Sequence, residues 1–332
     1  STNLFLWFRE DWFFLQFLLI ATALASKELW RWKREGRTTH IFNPSAFGLF
    51  IFSVALIGFR ELPISRAVEI AFTLSYPPHI YLEIFIIGLV VQALFSVTLV
   101  TLSSVATLWV FNVVYTQLTG LHQFSDSNMP VLVFLGAHLL VTDPATSPRT
   151  NVGKLVFGAL YGASVFVLRG ALVWLGIPPF YDKLLCVPVL NLTVQHLDRI
   201  GATVEGIIRQ HSPPALFWRA APANLLHMAV WVMVFTGMSA SGFLGYTDVD
   251  PSPGSWRLGC IHGRGSDCIA WLRQLQKDCE QASGLACFTR GRVLADGTVV
   301  PPDFLSAQGS FDRACRLGPA VACRSYPIRP RN

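Results

Sequence analysis

Charge is scarce in this chain. Its 332 residues include 26 Lys and Arg against 20 Asp and Glu, 14% in all, where soluble globular domains carry about 25%. Also missing are a phosphate loop, a paired carboxylate set, a nucleophile with a base, a metal cluster and any RNA- or DNA-binding motif. These gaps argue against an autonomous enzyme and against a nucleic-acid partner. The net charge of +6 is therefore read through membrane topology first. No cleavable signal is recognisable, because the first apolar run leads into a Lys/Arg-rich stretch without a small-residue cleavage site.

What the chain has instead is apolar bulk. Hydrophobic residues make up 52%, with 25 Phe and 10 Trp, and the mean hydropathy is +0.46. An integral membrane protein follows, with lipids as its surroundings. Runs long enough to span fall at Trp12–Trp30, Phe42–Phe59, Ile80–Phe95, Val97–Tyr115, Val131–Val141, Val152–Ile177, Tyr181–Leu197 and Asn224–Ser241, about eight in all. The third and fourth meet near Ser96 without a polar break. The fifth is short, and the seventh contains Pro188 and Asn191, so both have a discontinuous or re-entrant character.

Basic residues orient the bundle. Lys27, Arg31, Lys33, Arg34 and Arg37 follow the first span, Arg149 and Lys154 the fifth, and Arg199, Arg209 and Arg219 the seventh. The other side holds Arg9, Arg60, Arg66 and Lys183. The positive-inside rule makes the first set cytoplasmic and places the N-terminus and everything after Ser241 outside.

The stretch HLLVTDPATSPRTNVGKLVFGALYG, His138 to Gly162, is the centre of the chain. Two apolar runs meet there at a Pro-punctuated polar turn, and backbone that leaves a helix at membrane depth must be satisfied by protein or by a watery cavity. Asp143 before Pro144 and Ser147 before Pro148 are predicted as helix N-caps. Local chemistry leaves two readings open, a site-forming broken helix or a short loop between ordinary spans. Candidate binding residues are Asn43, His138, Asp143 and Arg149. Arg149, with the amides of Thr150–Val152, would favour a phosphate, or else simply sets topology. His138 is a ligand or redox candidate, or else an imidazole bonded to a neighbouring helix. Of the other polar residues in the spans, Glu83 reads as interfacial, and Arg169 as pairing with a carboxylate or reaching the outer interface.

TDPATSPRTNVGKLVFGALYG resembles the Thr-Asp-Pro segment and glycine-spaced helix of the NqrB/RnfD family, membrane subunits of sodium- or proton-linked flavin electron-transfer complexes. HIFNPSAFGLF at His40–Phe50 and YDKLLCVPVLNLTVQHLDR at Tyr181–Arg199 resemble two further family signatures, in the right order. Together they cover Thr38 to Arg199. The resemblance implies an all-α, urea-transporter-like bundle of two inverted five-helix units, two spans more than the eight counted; residues upstream of Ser1 would make up the difference. Flavin-carrying members attach FMN to the Thr of an S-G-A-T-like segment. Here the interval reads RELPISRAVEIAFTLSYPPHIYLEIF, with no such segment. The covalent-FMN motif is thus absent, a non-covalent flavin stays open, and the variant looks like the divergent RnfD-like or UnbU-like branch.

Composition changes at Gly242, dividing the chain into a membrane domain, 1–241, and a tail, 242–332. The tail holds six of the seven cysteines in three C-x7-C units, Cys260 with Cys268, Cys279 with Cys287 and Cys315 with Cys323. A Gly inside each unit fits the turn of a helical hairpin, bringing the two sulfurs within disulfide reach. Three local disulfides are favoured over a zinc or iron–sulfur site, which would call for C-x2-C knuckles. The spacing, and the 36 residues between the last two units, resemble bacterial cysteine-rich tetratricopeptide-like repeats over Leu258–Tyr326. Disulfides need an oxidising compartment, which agrees with the outside placement reached from charge. Cys186 reads as a small buried hydrophobe.

The expected function is a non-catalytic subunit of a larger complex in the bacterial inner membrane, docking other subunits through its extracytoplasmic repeat tail. The alternatives are a small-solute or ion transporter, and a redox subunit with non-covalent flavin or quinone.

Overall fold

A computed structural model describes residues 2–34, 36–59, 64–67, 70, 74, 79–119, 124, 129–175, 177–211, 222–241, 243–244, 260, 265–296 and 300–317. Helices dominate, as expected: α1 (Phe14–Leu29), α2 (Pro44–Gly58), α3 (Ile80–Phe95), α4 (Thr98–Thr119), α5 (Val131–Leu139), α6 (Asn151–Trp174), α7 (Asp182–His211) and α8 (Pro222–Ala240), then α9 (Gly265–Glu280), α10 (Gly284–Asp296) and α11 (Phe304–Leu317). Among the described residues, α4 over Thr98–Leu118 and α6 are long and apolar enough to cross a bilayer, while α2, α3 and α8 from Asn224 are apolar but shorter.

The all-α expectation needs one correction. Arg31–Arg34 (β1) and Arg37–His40 (β2) form an antiparallel hairpin, with Arg34 opposite Arg37. Gly36 sits in the turn at φ 77°, a backbone region that suits glycine, and Trp32 and the two threonines favour strand. Basic residues read only for topology thus belong to a folded element.

Two compact units emerge. One comprises Ser1–Phe111, Met129–Leu172 and Pro178–Gly245; the other comprises Asn112–Asn128, Val173–Ile177 and Tyr246–Asn332. In the first, α1 packs on α2, α2 on α7, and α3 on both α5 and α8. The boundary expected near Ser96 is a two-residue break between α3 and α4, in which Ser96 is left-handed at φ 53°. Lys154 donates to its carbonyl at 2.9 Å, and Asn224 donates to the Gln92 carbonyl at 2.9 Å and accepts from Thr98 at 3.1 Å.

Glycines let α6 approach α4 backbone to backbone. A Cβ at Gly158 would run into the Val100 carbonyl and Ser103, and one at Gly162 would meet the Ser104 carbonyl at 2.7 Å. This is the small-residue packing that replaces the hydrophobic effect between helices in lipid.

In the second unit, α10 packs on α9 and α11. Cys260–Cys268 and Cys279–Cys287 are disulfides, and Cys315 is also disulfide-bonded, while its expected partner Cys323 lies outside the described residues. Apolar cores form directly on the sulfurs: Cys279, Ala286, Cys287 and Ala314 in one, Cys260, Cys268, Trp271 and Val293 in another. At the second bridge the turn differs from expectation. The left-handed residue is Ala282, φ 69°, and Gly284 instead opens α10, whose cap is Ser283 accepting from the Ala286 amide at 3.3 Å. Asp303 caps α11, accepting from the Ser306 amide at 3.0 Å.

Gly158→Ala should cost about 1–3 kcal/mol, because the obstructing atom is backbone, whereas Gly206→Ala, with nothing within 4 Å of its Cβ, should stabilise by roughly 1 kcal/mol; thermal unfolding in detergent compares them. In the tail, hydrogen bonds from the Ser306 hydroxyl and amide hold the Asp303 carboxyl below its ordinary value. Its contribution is therefore present above the unfolded value and lost as pH falls through the folded one. Helicity of the tail should fall in acid, and Asp303→Asn should remove that acid-sensitive step; circular dichroism against pH reads both.

Candidate functional site

Helix α5 is nine residues long, about 14 Å at 1.5 Å per residue, or roughly half of a 30 Å hydrocarbon core. Every residue from Val131 to His138 is buried. The helix stops at Leu139, and the chain continues without regular structure through TDPATSPR to α6. Leu140, Val141, Thr142, Thr146 and Ser147 are each no more than 1% exposed. The segment between α5 and α6 is therefore irregular and buried, and its backbone must find partners inside the protein.

The partners come from three directions. Asn43, the N-cap of α2, accepts from the Ala46 amide at 3.1 Å and donates from Nδ2 to the Leu140 carbonyl at 3.1 Å. Asn191, nine residues into α7, accepts from the Asn43 amide at 3.0 Å and donates to the Thr146 carbonyl at 3.2 Å. Arg34, 5% exposed on β1, reaches the carbonyls of Ala145 at 3.2 Å and Ser147 at 3.0 Å and pairs with Asp198. Within the segment, Ser147 Oγ donates to the Val141 carbonyl at 2.7 Å, and Thr142 Oγ1 donates to that of His138.

Asp143 and Ser147 do not cap helices. Asp143 makes a local turn, accepting from the Ala145 amide at 3.0 Å, and its other oxygen takes Thr146 Oγ1 and His40 Nε2, both at 3.2 Å. The cap of α6 is Thr150, whose Oγ1 accepts from the Gly153 amide at 3.1 Å. Two of the three amides offered to a phosphate are taken as well: Thr150 donates to Asp198 at 3.3 Å, alongside the Arg149 amide at 2.7 Å, and Val152 donates to Glu205 at 3.0 Å. Carboxylates already complement this helix start, so a flavin phosphate does not fit there.

His138 stands apart. Its Nδ1 bonds the Phe134 carbonyl of its own helix at 2.8 Å, rather than a neighbouring helix, and Nε2 has no partner. Its ring centroid lies 4.3 Å from Phe134 and 5.7 Å from Trp231, whose indole nitrogen is likewise unpartnered. Phe85 and Phe235 stack at 3.8 Å in the same cluster. The four candidates Asn43, His138, Asp143 and Arg149 thus lie near one broken segment but face different partners. Elsewhere, Arg169 lies 3.8 Å from the buried carboxylate of Asp182, which also accepts from Lys183 at 3.0 Å, and exposed Glu83 meets His79 at 3.3 Å.

Sequence reasoning missed Arg34, His40, Asp198 and Glu205 as members of the site. Asn191 had a signal, an amide inside an apolar run. Arg34 had none, since its carboxylate partner lies 164 residues away.

Asn43→Ala should cost about 2–4 kcal/mol, because it strands the Leu140 carbonyl and the Ala46 amide in the interior. Asn43→Ser restores the cap acceptor alone and should recover part of the loss in detergent-solubilised thermal unfolding.

Residues 79–178 match the model of the NQR2, RnfD, RnfE family. The match takes in α3 to α6 and the broken segment, and leaves out both HIFNPSAFGLF and YDKLLCVPVLNLTVQHLDR. The D subunit of the ion-translocating oxidoreductase complex of Salmonella arizonae is 43% identical over 72 residues, 21% of this chain and 19% of that protein. Its counterpart in Escherichia coli O139:H28 is 42% identical over 72 residues, with the same coverage. The chain thus spans about a fifth of the length of these curated relatives, at 19%. No solved structure matches.

Proposed function

We propose that this chain, whose residues 79–178 match the model of the NQR2, RnfD, RnfE family, is a membrane component of an electron-transport assembly akin to the ion-translocating oxidoreductase complexes of its relatives. Its role is structural, in the inner membrane, with an eight-span body and an extracytoplasmic tail that docks another protein of the assembly. One observation carries the structural role: the carbonyls of Leu140, Val141, Ala145, Thr146 and Ser147 are all bound by side chains of the chain itself. A transport site built on a broken helix needs such groups turned toward its solute.

Two observations support an outside tail. Basic residues concentrate on the opposite loops, and the tail pairs Cys260 with Cys268 and Cys279 with Cys287 in disulfides. A second reading, a redox subunit holding a planar cofactor non-covalently, is favoured by the unpartnered His138 and Trp231 nitrogens among aromatic rings.

The test is purification of the full chain and of a 1–241 truncation in mild detergent. The structural reading expects partner proteins to leave with the tail while the body stays folded and colourless. Retention of every partner by the truncation would overturn docking through the tail. A flavin or quinone spectrum that His138→Leu abolishes would install the second reading instead.

A further inference from the structure

We propose that the β1–β2 hairpin and the adjoining face of α1 form a docking surface for an anionic phospholipid, the acyl chains lying along α1 and the phosphate against the hairpin. This rests on the membrane reading above and adds to it a ligand of defined chemistry.

The apolar half is the outward face of α1. Gln16, Leu19, Ala23 and Ser26 turn inward, whereas Phe14, Phe17, Leu18, Leu24 and Leu29 are 54–71% exposed. A face of that kind suits hydrocarbon. It ends at Trp30, 43% exposed, whose ring lies tilted against Phe47 at 5.1 Å, a residue type that favours the headgroup level of a bilayer.

The polar half begins one residue later. Along β1 the burial alternates, Arg31 and Lys33 outward and Arg34 inward. Arg37 and Lys27 are also exposed. Arg34 is spent on Asp198 and the broken segment, and Arg31 meets Glu28 on the surface. Lys27, Lys33 and Arg37 remain against Glu35 in the sequence, an excess of positive charge beside an apolar face. The hairpin is also held in place. The Ile41 amide bonds the Trp30 carbonyl at 2.9 Å, and Gln195 reaches the Lys33 carbonyl at 3.5 Å. The cations are thus presented on a fixed scaffold at the level where lipid phosphates lie, and charge complementarity selects an anionic headgroup over a zwitterionic one.

Full-length protein and a Lys33→Gln/Arg37→Gln variant, both in detergent, are titrated with phosphatidylglycerol, cardiolipin, phosphatidylcholine and inorganic phosphate. Native mass spectrometry and thermal shift provide the readouts. The anionic lipids should bind the parent several-fold more tightly than phosphatidylcholine, and the double variant should lose about fivefold per charge removed. Equal binding of all lipids, or a preference unchanged in the variant, would overturn the surface. Stabilisation by inorganic phosphate equal to that by lipid would overturn it as well, in favour of a bare anion site. If the variant does not fold, charge reversal at Lys33 alone decides. Orientation is measured separately, by labelling Lys33→Cys in inside-out and right-side-out vesicles, so a wrong topology and a wrong lipid surface give different results.

Discussion

The break between Leu140 and Thr150 governs the architecture of the membrane unit. In hydrocarbon an unpaired amide group costs several kcal/mol, and α5 leaves its carbonyls unpaired after nine residues. Donors must arrive from elsewhere, and each brings its element along. Asn43 brings the start of α2, Asn191 the middle of α7, and Arg34 the hairpin. Arg34 is itself a buried cation and needs a carboxylate, which Asp198 supplies. Asp198 then has a second oxygen for the amides of Arg149 and Thr150, which fixes where α6 begins. A single deficit of hydrogen bonds thus connects three stretches distant in sequence, the hairpin with the start of α2, the break with the start of α6, and α7.

Two sets of polar groups in the membrane unit contrast. Around the broken segment the backbone carbonyls are bound by side chains of the chain itself, with Arg34 Nε left unpartnered. Nε2 of His138 and the indole nitrogen of Trp231 have no partner and are buried in the aromatic cluster between α3, α5 and α8. Buried polar atoms without partners are uncommon in native proteins and ask for an explanation. The division is why the structural role and a cofactor-holding role attach to different residues, even though both lie on or near the family-matched stretch.

Legibility in the sequence followed the range of each interaction. The broken segment was visible because Pro144 and Pro148 interrupt an apolar run, a local signal. The cysteine pairs were visible for the same reason, their members being eight residues apart. Ser96 as a boundary rested on no polar break, yet it is the residue that turns left-handed. What stayed hidden was non-local. Nothing in the neighbourhood of Arg34 says that it leaves the surface, and nothing near Asp198 says that it closes a helix start in place of a phosphate. Ala282 shows a subtler limit, for composition pointed to the nearby glycine as the turn residue while the fold strains an alanine instead.

The two units therefore resist unfolding by different chemistry. In the membrane unit Cys186 is a free, buried thiol, and order comes from packing and from hydrogen bonds that span about 100 residues, such as Asn43 to Leu140. In the tail the cores are small and are built on the disulfide sulfurs themselves. Loss of a bridge there removes both a covalent constraint, worth roughly 2–3 kcal/mol for loops this short, and the centre of the apolar cluster around it. A reducing environment would act on the disulfide-bonded helices of the tail and not on the membrane unit, whose Cys186 is already a free thiol.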